Sequence, residues 1–266
     1  HSLFNANLQE NVSAANDLKI NEAINTAITQ KGPVHINAPF EEPLYETVSA
    51  LSVAANTVAF ANNTQTISIE EVSEYATIWN NATKKMILVG VNEPNAISKK
   101  TITAFAKEES VVVLTETTSN VHHETFINTI DTIITPFTEE DFEYFRPEIL
   151  VTFGGMVVSK RIKTFLRKYK PKHHWHIDSW RAYDTFGDLT KHFEVTPNVF
   201  FDAFLPLTNA TESNYFQQLN AVKVLRKLKS DFYLSKIPFS DFKVFEKVIQ
   251  RLPMNSQLQI SNSSAI

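Results

Sequence analysis

No cysteine occurs among the 266 residues, which excludes disulfides, thiolate metal sites and a cysteine nucleophile. Glycine is almost as scarce, with five in all. None of them falls into G-x-G-x-x-G, so dinucleotide binding has no fingerprint to rest on, and a Walker loop and a G-x-S-x-G elbow are missing too. No apolar run approaches the roughly 20 residues that cross a bilayer. His1-Ser-Leu-Phe leads into a polar, Asn-rich segment rather than the apolar stretch of a secretory signal, so a cytoplasmic location is expected. A net charge of −4 argues against general nucleic-acid binding. Lys and Arg nevertheless gather between Lys160 and Lys191, where one face can be locally positive.

With 43% hydrophobic and 20% charged residues, the composition is that of a soluble globular protein. Both ends read as cut, since the chain starts without an initiator methionine and its last segment, from Gln257, reads as a strand that stops before anything follows. Asp17 to Gln30 carries apolar residues near helical spacing, with Asn16 or Asp17 as its cap. Val34-His35-Ile36 follows a Gly-Pro turn as a short strand, in which His35 is read as a core histidine. Residues 46–84, rich in small and polar residues, read as a connector holding one helix, Ser68 to Asn80.

From Lys85 the pattern changes. Short apolar runs at Met86–Val91, Val111–Leu114, Glu148–Phe153, His174–Asp178 and His192–Val195 alternate with helical segments, of which Asn95–Glu109 and Ser159–Tyr169 are the clearest. Such alternation predicts βα units and a mainly parallel sheet covered on both faces, a doubly wound, Rossmann-like α/β domain over residues 85–205. Two further helices, about Ser213–Lys229 and Asp241–Leu252, form a helical connector over residues 206–256.

Within that domain Phe153-Gly-Gly-Met-Val-Val-Ser-Lys-Arg161 turns from a strand into a helix. Gly154 and Gly155 can take backbone angles closed to other residues and would let a ligand approach the main chain. A helix N-terminus favours anions, so two cations in the first turn, Lys160 and Arg161, oppose helix stability and point to a negative partner. A basic helix face turned to water is the plainer reading of the same residues. His174 and His176 share one face of a strand, a geometry open to zinc, yet no further ligand follows at familiar spacing. Imidazoles packed around Trp175 at a strand end are the simpler account. Neighbouring acids at Glu41-Glu42, Glu108-Glu109 and Glu139-Glu140-Asp141 point in different directions and read as surface charge.

One stretch is more specific. Gly32-Pro-Val-His-Ile-Asn-Ala-Pro-Phe-Glu-Glu-Pro-Leu-Tyr45 resembles the segment that closes the pyrimidine-binding domain in the 2-succinyl-5-enolpyruvyl-6-hydroxy-3-cyclohexene-1-carboxylate synthases, the MenD family of menaquinone biosynthesis. The order of the linker, the Rossmann-like domain, Ser159-Lys160-Arg161, Trp175-His-Ile-Asp178 and Leu258-Gln-Ile-Ser-Asn-Ser263 is similar to that family too. The resemblance implies that residues 1–45 are the end of a pyrimidine-binding domain, 46–84 a linker, 85–205 the central domain, 206–256 the helical connector and 257–266 the start of a diphosphate-binding domain.

Family members decarboxylate 2-oxoglutarate on thiamine diphosphate, with Mg2+, and add the product carbanion to isochorismate. Lys160 and Arg161 match the family's substrate-contacting pair, and Asn262 and Ser263 match its Asn-Ser at the start of the diphosphate domain. The resemblance also implies a parent that is a homodimer or homotetramer. It places the essential glutamate and the magnesium motif on domains of which this chain holds only edges. Gly187-Asp188-Leu with Asn214 imitates that motif upstream of its proper place. The chain alone is therefore expected neither to hold the cofactor tightly nor to catalyse. A non-catalytic Rossmann-like module for an anion or nucleotide, and the central domain of another thiamine diphosphate enzyme, remain alternatives.

Overall fold

A computed structural model describes residues 10–39, 45, 47, 49–51, 54–58 and 66–258. Asn262 and Ser263 lie outside the described residues, as does the segment after Leu258. The chain divides into two units, residues 1–65 and 66–266, and each is taken by itself.

In the first unit helix α1 (Glu10–Gln30) starts at Glu10 rather than at the expected Asp17. Asp17 is not its cap. Its carboxylate accepts from the backbone N–H of Asn56 at 3.2 Å. One and two turns further on, Asn21 donates to the carbonyl of Asn56 at 2.6 Å and accepts from Val58 N–H at 2.7 Å, while Asn25 donates to the carbonyl of Val58 at 2.6 Å. Side chains spaced by four lie on one face of a helix. Here they satisfy an extended backbone as a neighbouring strand would. The strand expected over residues 34–36 does not form, and His35 is exposed rather than buried in a core. A strand needs a ladder partner, and those three residues join none.

The second unit runs α2 (Ile69–Asn81), β1 (Lys85–Val89), α3 (Lys99–Lys107), β2 (Val111–Thr115), α4 (Ile130–Ile134), α5 (Glu139–Phe145), β3 (Ile149–Phe153), α6 (Lys160–Lys168), β4 (His173–Ile177), β5 (Lys191–Phe193), α7 (Pro197–Phe204), α8 (Tyr215–Lys236) and α9 (Asp241–Gln250). Every strand pairing is parallel, in the order β2-β1-β3-β4-β5. The doubly wound α/β reading therefore holds. Alternation within the apolar runs sends Ile87, Val89, Val151 and Trp175 to a cluster with Trp79 and Phe201, while Met86, Leu88, Leu150 and Val112 meet Ile162, Phe165 and Leu219 on the other face. Both faces being dry, the runs are continuous rather than alternating in polarity. Helix α3 starts later than expected because Asn95 takes a left-handed turn at φ 60°, and Ser98 then caps the helix, accepting from Thr101 N–H at 3.2 Å. Helix α9 keeps its apolar side, Phe242, Phe245, Val248 and Ile249, exposed. No helix among the described residues is long and apolar enough to cross a membrane.

At the amino edge of the sheet Lys85 is fully buried. Its ammonium donates to Ser110 Oγ at 2.9 Å and Thr211 Oγ1 at 3.0 Å, lies 3.9 Å from the Glu108 carboxylate and stands 4.9 Å over the Trp79 ring. Glu108 is thus the counter-ion of a buried lysine, which corrects its reading as surface charge: it also accepts from Ser110 and from Thr211 N–H at 3.1 Å. Burial pushes the Lys85 amine down from 10.5 to about 8, with Glu108 and Glu148 opposing the shift. Below pH 8 folded and unfolded chains both carry the proton, and the cost of burying it is felt in full. Between pH 8 and 10.5 the folded state has already released it. Stability measured by urea unfolding should therefore rise with pH across that window relative to Lys85→Met, which has no proton to lose. A pH-independent difference between the two proteins would refute this.

Candidate anion-binding turn

Strand order β2-β1-β3 makes the carboxyl ends of β1 and β3 a topological switch point, the place where open α/β sheets hold ligands. In this protein the loops after those strands are bonded to one another. Gly90 N–H donates to the Phe153 carbonyl at 2.9 Å, and Gly155 N–H to the Val91 carbonyl at 2.7 Å. A Cβ on Gly90 would lie 1.9 Å from the Gly155 carbonyl oxygen. Gly154 has φ +80°, and a Cβ there would meet the Asn92 amide at 2.5 Å and the Val91 carbonyl at 2.8 Å. Of the pair only Gly154 takes the angle closed to other residues, and the close approach at both is made by the neighbouring loop.

Two N–H groups before α6 are also taken. Glu116, just past β2, accepts from Val158 N–H at 2.8 Å and from Ser159 N–H at 2.7 Å, one with each carboxylate oxygen. Ser159 caps the helix, accepting from Ile162 N–H at 3.2 Å, and its hydroxyl bonds the Asp131 carboxylate. Sequence reasoning missed Glu116. The one available signal was an acid directly after a buried strand, Leu114-Thr-Glu116, and nothing local shows what it reaches.

Lys160 and Arg161 open α6 as expected and are exposed. Neither makes an ion pair or side-chain hydrogen bond among the described residues. Both line an open groove of about 410 Å³ between α6 and the α4–α5 segment, whose apolar walls include Phe137, Phe142, Phe165 and Tyr169. Lys168 borders the same groove but is paired with Glu139 at 2.6 Å. Two uncompensated cations beside aromatic walls suit a carboxylate on an apolar body: guanidinium offers a planar fork and ammonium a point charge.

The histidines form a different cluster. Thr152 Oγ1 lies 2.9 Å from His174 Nε2 and 2.8 Å from His176 Nδ1. His174 Nδ1 is buried without a partner. An N–H there would be orphaned, so the proton belongs on Nε2, which donates to Thr152, whose hydroxyl donates to His176. Trp175 points to the opposite face, where the His173 ring lies 6.3 Å from it, so His174 and His176 are not packed around it as expected. No group of three or more His, Cys, Asp or Glu able to hold a metal occurs among the described residues. Burial, and then the neighbouring His176, pushes His174 from 6.5 down to about 4, and burial lowers His176 as well.

A parallel α/β unit with a glycine-sealed switch point is the class of protein on view. The chain belongs to the family described as "Middle domain of thiamine pyrophosphate", which matches residues 56–260. It is 61% identical over 267 residues to a 2-succinyl-5-enolpyruvyl-6-hydroxy-3-cyclohexene-1-carboxylate synthase of Flavobacterium johnsoniae, and 59% identical over 266 residues to one of Flavobacterium psychrophilum. Each alignment covers 100% of this chain and 48% of the relative, so the chain spans about half the length of the curated relatives it matches. A benzoylformate decarboxylase from Polynucleobacter necessarius aligns in structure at 14% identity and a TM-score of 0.41, over 79% of this chain and 39% of that one.

Replacing Gly90 by Ala should cost about 3 kcal/mol or more, because the clash is with main chain that cannot step aside. Gly155→Ala, whose Cβ would lie 3.2 Å from the Val91 Cβ, should cost less in the same denaturant titration. Equal stabilities would contradict the sealed crevice. For His174, both states are neutral above pH 6.5, and as pH falls toward 4 the unfolded chain takes up the proton first. Stability should drop by on the order of 3 kcal/mol over that window, a drop that His174→Gln reduces. A flat wild-type profile would count against the buried neutral pair.

Proposed function

We propose that this chain is the central part of a thiamine diphosphate-dependent synthase. In that reading the parent enzyme, with Mg2+, decarboxylates 2-oxoglutarate and adds the resulting succinyl carbanion to isochorismate. Lys160 and Arg161 then contact a carboxylate of the acceptor. The observation that carries the reading is identity of 61% along the whole chain to a synthase of that name. The uncompensated pair at the start of α6 supports the residue assignment. Asn262 and Ser263 join the proposal through the resemblance of Leu258–Ser263, outside the described residues. The segment boundaries expected from sequence, and a homodimeric or homotetrameric parent, belong to the same reading.

Among the described residues we assign no seat for the cofactor: the loops after β1 and β3 meet main chain to main chain at Gly90 and Gly155, and Glu116 accepts from Val158 and Ser159 N–H ahead of α6. No chemical step is assigned to this chain on that account. Its part is to bind and orient an anion, and on its own it is proposed to be inactive. A nucleotide-binding module is disfavoured by the same closed crevice.

In the full-length protein, replacing Lys160 and Arg161 together by Ala should lower kcat/KM for isochorismate about 100-fold, the loss of two charge-assisted contacts, while circular dichroism and melting stay close to wild type. Unchanged turnover by the double variant would remove the pair from the site.

A further inference from the structure

Between Gly155 and α6 only Val157 packs against the core, while Met156 is 67% exposed and Val158 59%. Polar bonds help set its path, and both backbone N–H groups directly ahead of α6 converge on one side chain. Glu116 spans from the end of β2 to the start of α6 although β1 lies between β2 and β3 in the sheet. Its two oxygens each take one N–H of adjacent residues, Val158 and Ser159, at 2.8 and 2.7 Å. Charge-assisted bonds of this kind are about twice as strong as neutral ones. The carboxylate also lies where the helix dipole favours negative charge.

Glu116 is itself anchored. Its own N–H donates to Ser119 Oγ at 2.8 Å, and that buried hydroxyl donates to the carbonyl of Val89, the last residue of β1, at 2.7 Å. A continuous chain of bonds thus runs from β1 through Ser119 and Glu116 to the residue immediately before Lys160.

We infer that Glu116 is a positioning residue for substrate binding: by clamping Val158 and Ser159 it fixes where Lys160 and Arg161 stand. This rests on the proposed role of that pair. Glu116 also fills the backbone anion seat ahead of α6. An incoming carboxylate can then be met by the two side chains on the helix flank, a planar fork and a point charge.

The test uses the full-length protein and Glu116→Gln, which keeps the size of the side chain but can accept only one of the two N–H bonds. KM for isochorismate should rise about tenfold, with kcat and KM for 2-oxoglutarate near wild type. In the present chain, amide hydrogen exchange at Val158 and Ser159 should speed up while the strands stay protected. A fall in kcat with KM unchanged, the mark of a merely structural loss, overturns the inference. So does an unchanged KM. If Glu116→Gln does not fold, Glu116→Asp keeps the charge one methylene short, and the same split between KM and kcat decides. Lys160→Ala with Arg161→Ala is measured alongside: an effect there without one at Glu116 refutes the positioning role alone, whereas no effect in either removes the functional reading beneath it.

Discussion

Main chain against main chain at Gly90 and Gly155 is the contact on which the carboxyl edge of the sheet depends. It joins the loops after β1 and β3, and it requires that neither loop carry a side chain at the meeting point. Gly154, at φ +80°, then turns the chain out of β3 toward α6. The path to Lys160 is set from that point. A fold whose switch point ordinarily cradles a ligand has here spent it on its own backbone. In the proposed function, recognition of an anion moves as a result from the main chain to the flank of a helix.

The charges around α6 make sense in that arrangement. Lys160 and Arg161 stand in a first turn, where the dipole opposes cations by about 0.3–1 kcal/mol each. Glu116 and Asp131 gather at the same turn and offset it without pairing with either cation. Lys168, on the same groove, has its carboxylate, and Lys85, at the far edge of the sheet, has a full set of partners. Among these lysines the buried one holds structure together, and the exposed, unpaired one faces open groove. That contrast separates the proposed binding cation from a structural one more firmly than the run of charge in the sequence does.

Much of the fold was legible because β1, β2 and β3 are buried on both faces and so read as nearly unbroken apolar runs, whereas β4 and β5 are only partly buried and carry histidine and lysine. Within the sheet, strand positions were right to within a few residues and Ser159 capped the helix where the pattern placed its start, while the strand expected over residues 34–36 did not form. Legibility failed where a residue's partner lies far along the chain. Nothing near Gly154 announces Gly90, nothing near Glu116 announces Val158, and Glu108 looked like surface charge until Lys85 stood beside it. Asp17 looked like a cap because its use, the backbone at Asn56, is also remote. Lys160 and Arg161 were singled out by their conflict with the helix dipole, a local signal, and given a substrate role only by the family resemblance. The family came from whole motifs such as Gly32–Tyr45, which periodicity cannot interpret.

The central claim is that an anionic substrate meets this domain at Lys160 and Arg161. A crystal structure of the full-length protein with isochorismate, or with an unreactive dicarboxylate analogue, tests it most directly. The account predicts a ligand carboxylate at about 3 Å from the Arg161 guanidinium and within reach of the Lys160 ammonium, with Glu116 still bonded to Val158 and Ser159. A bound dicarboxylate that leaves both cations in solvent would contradict it.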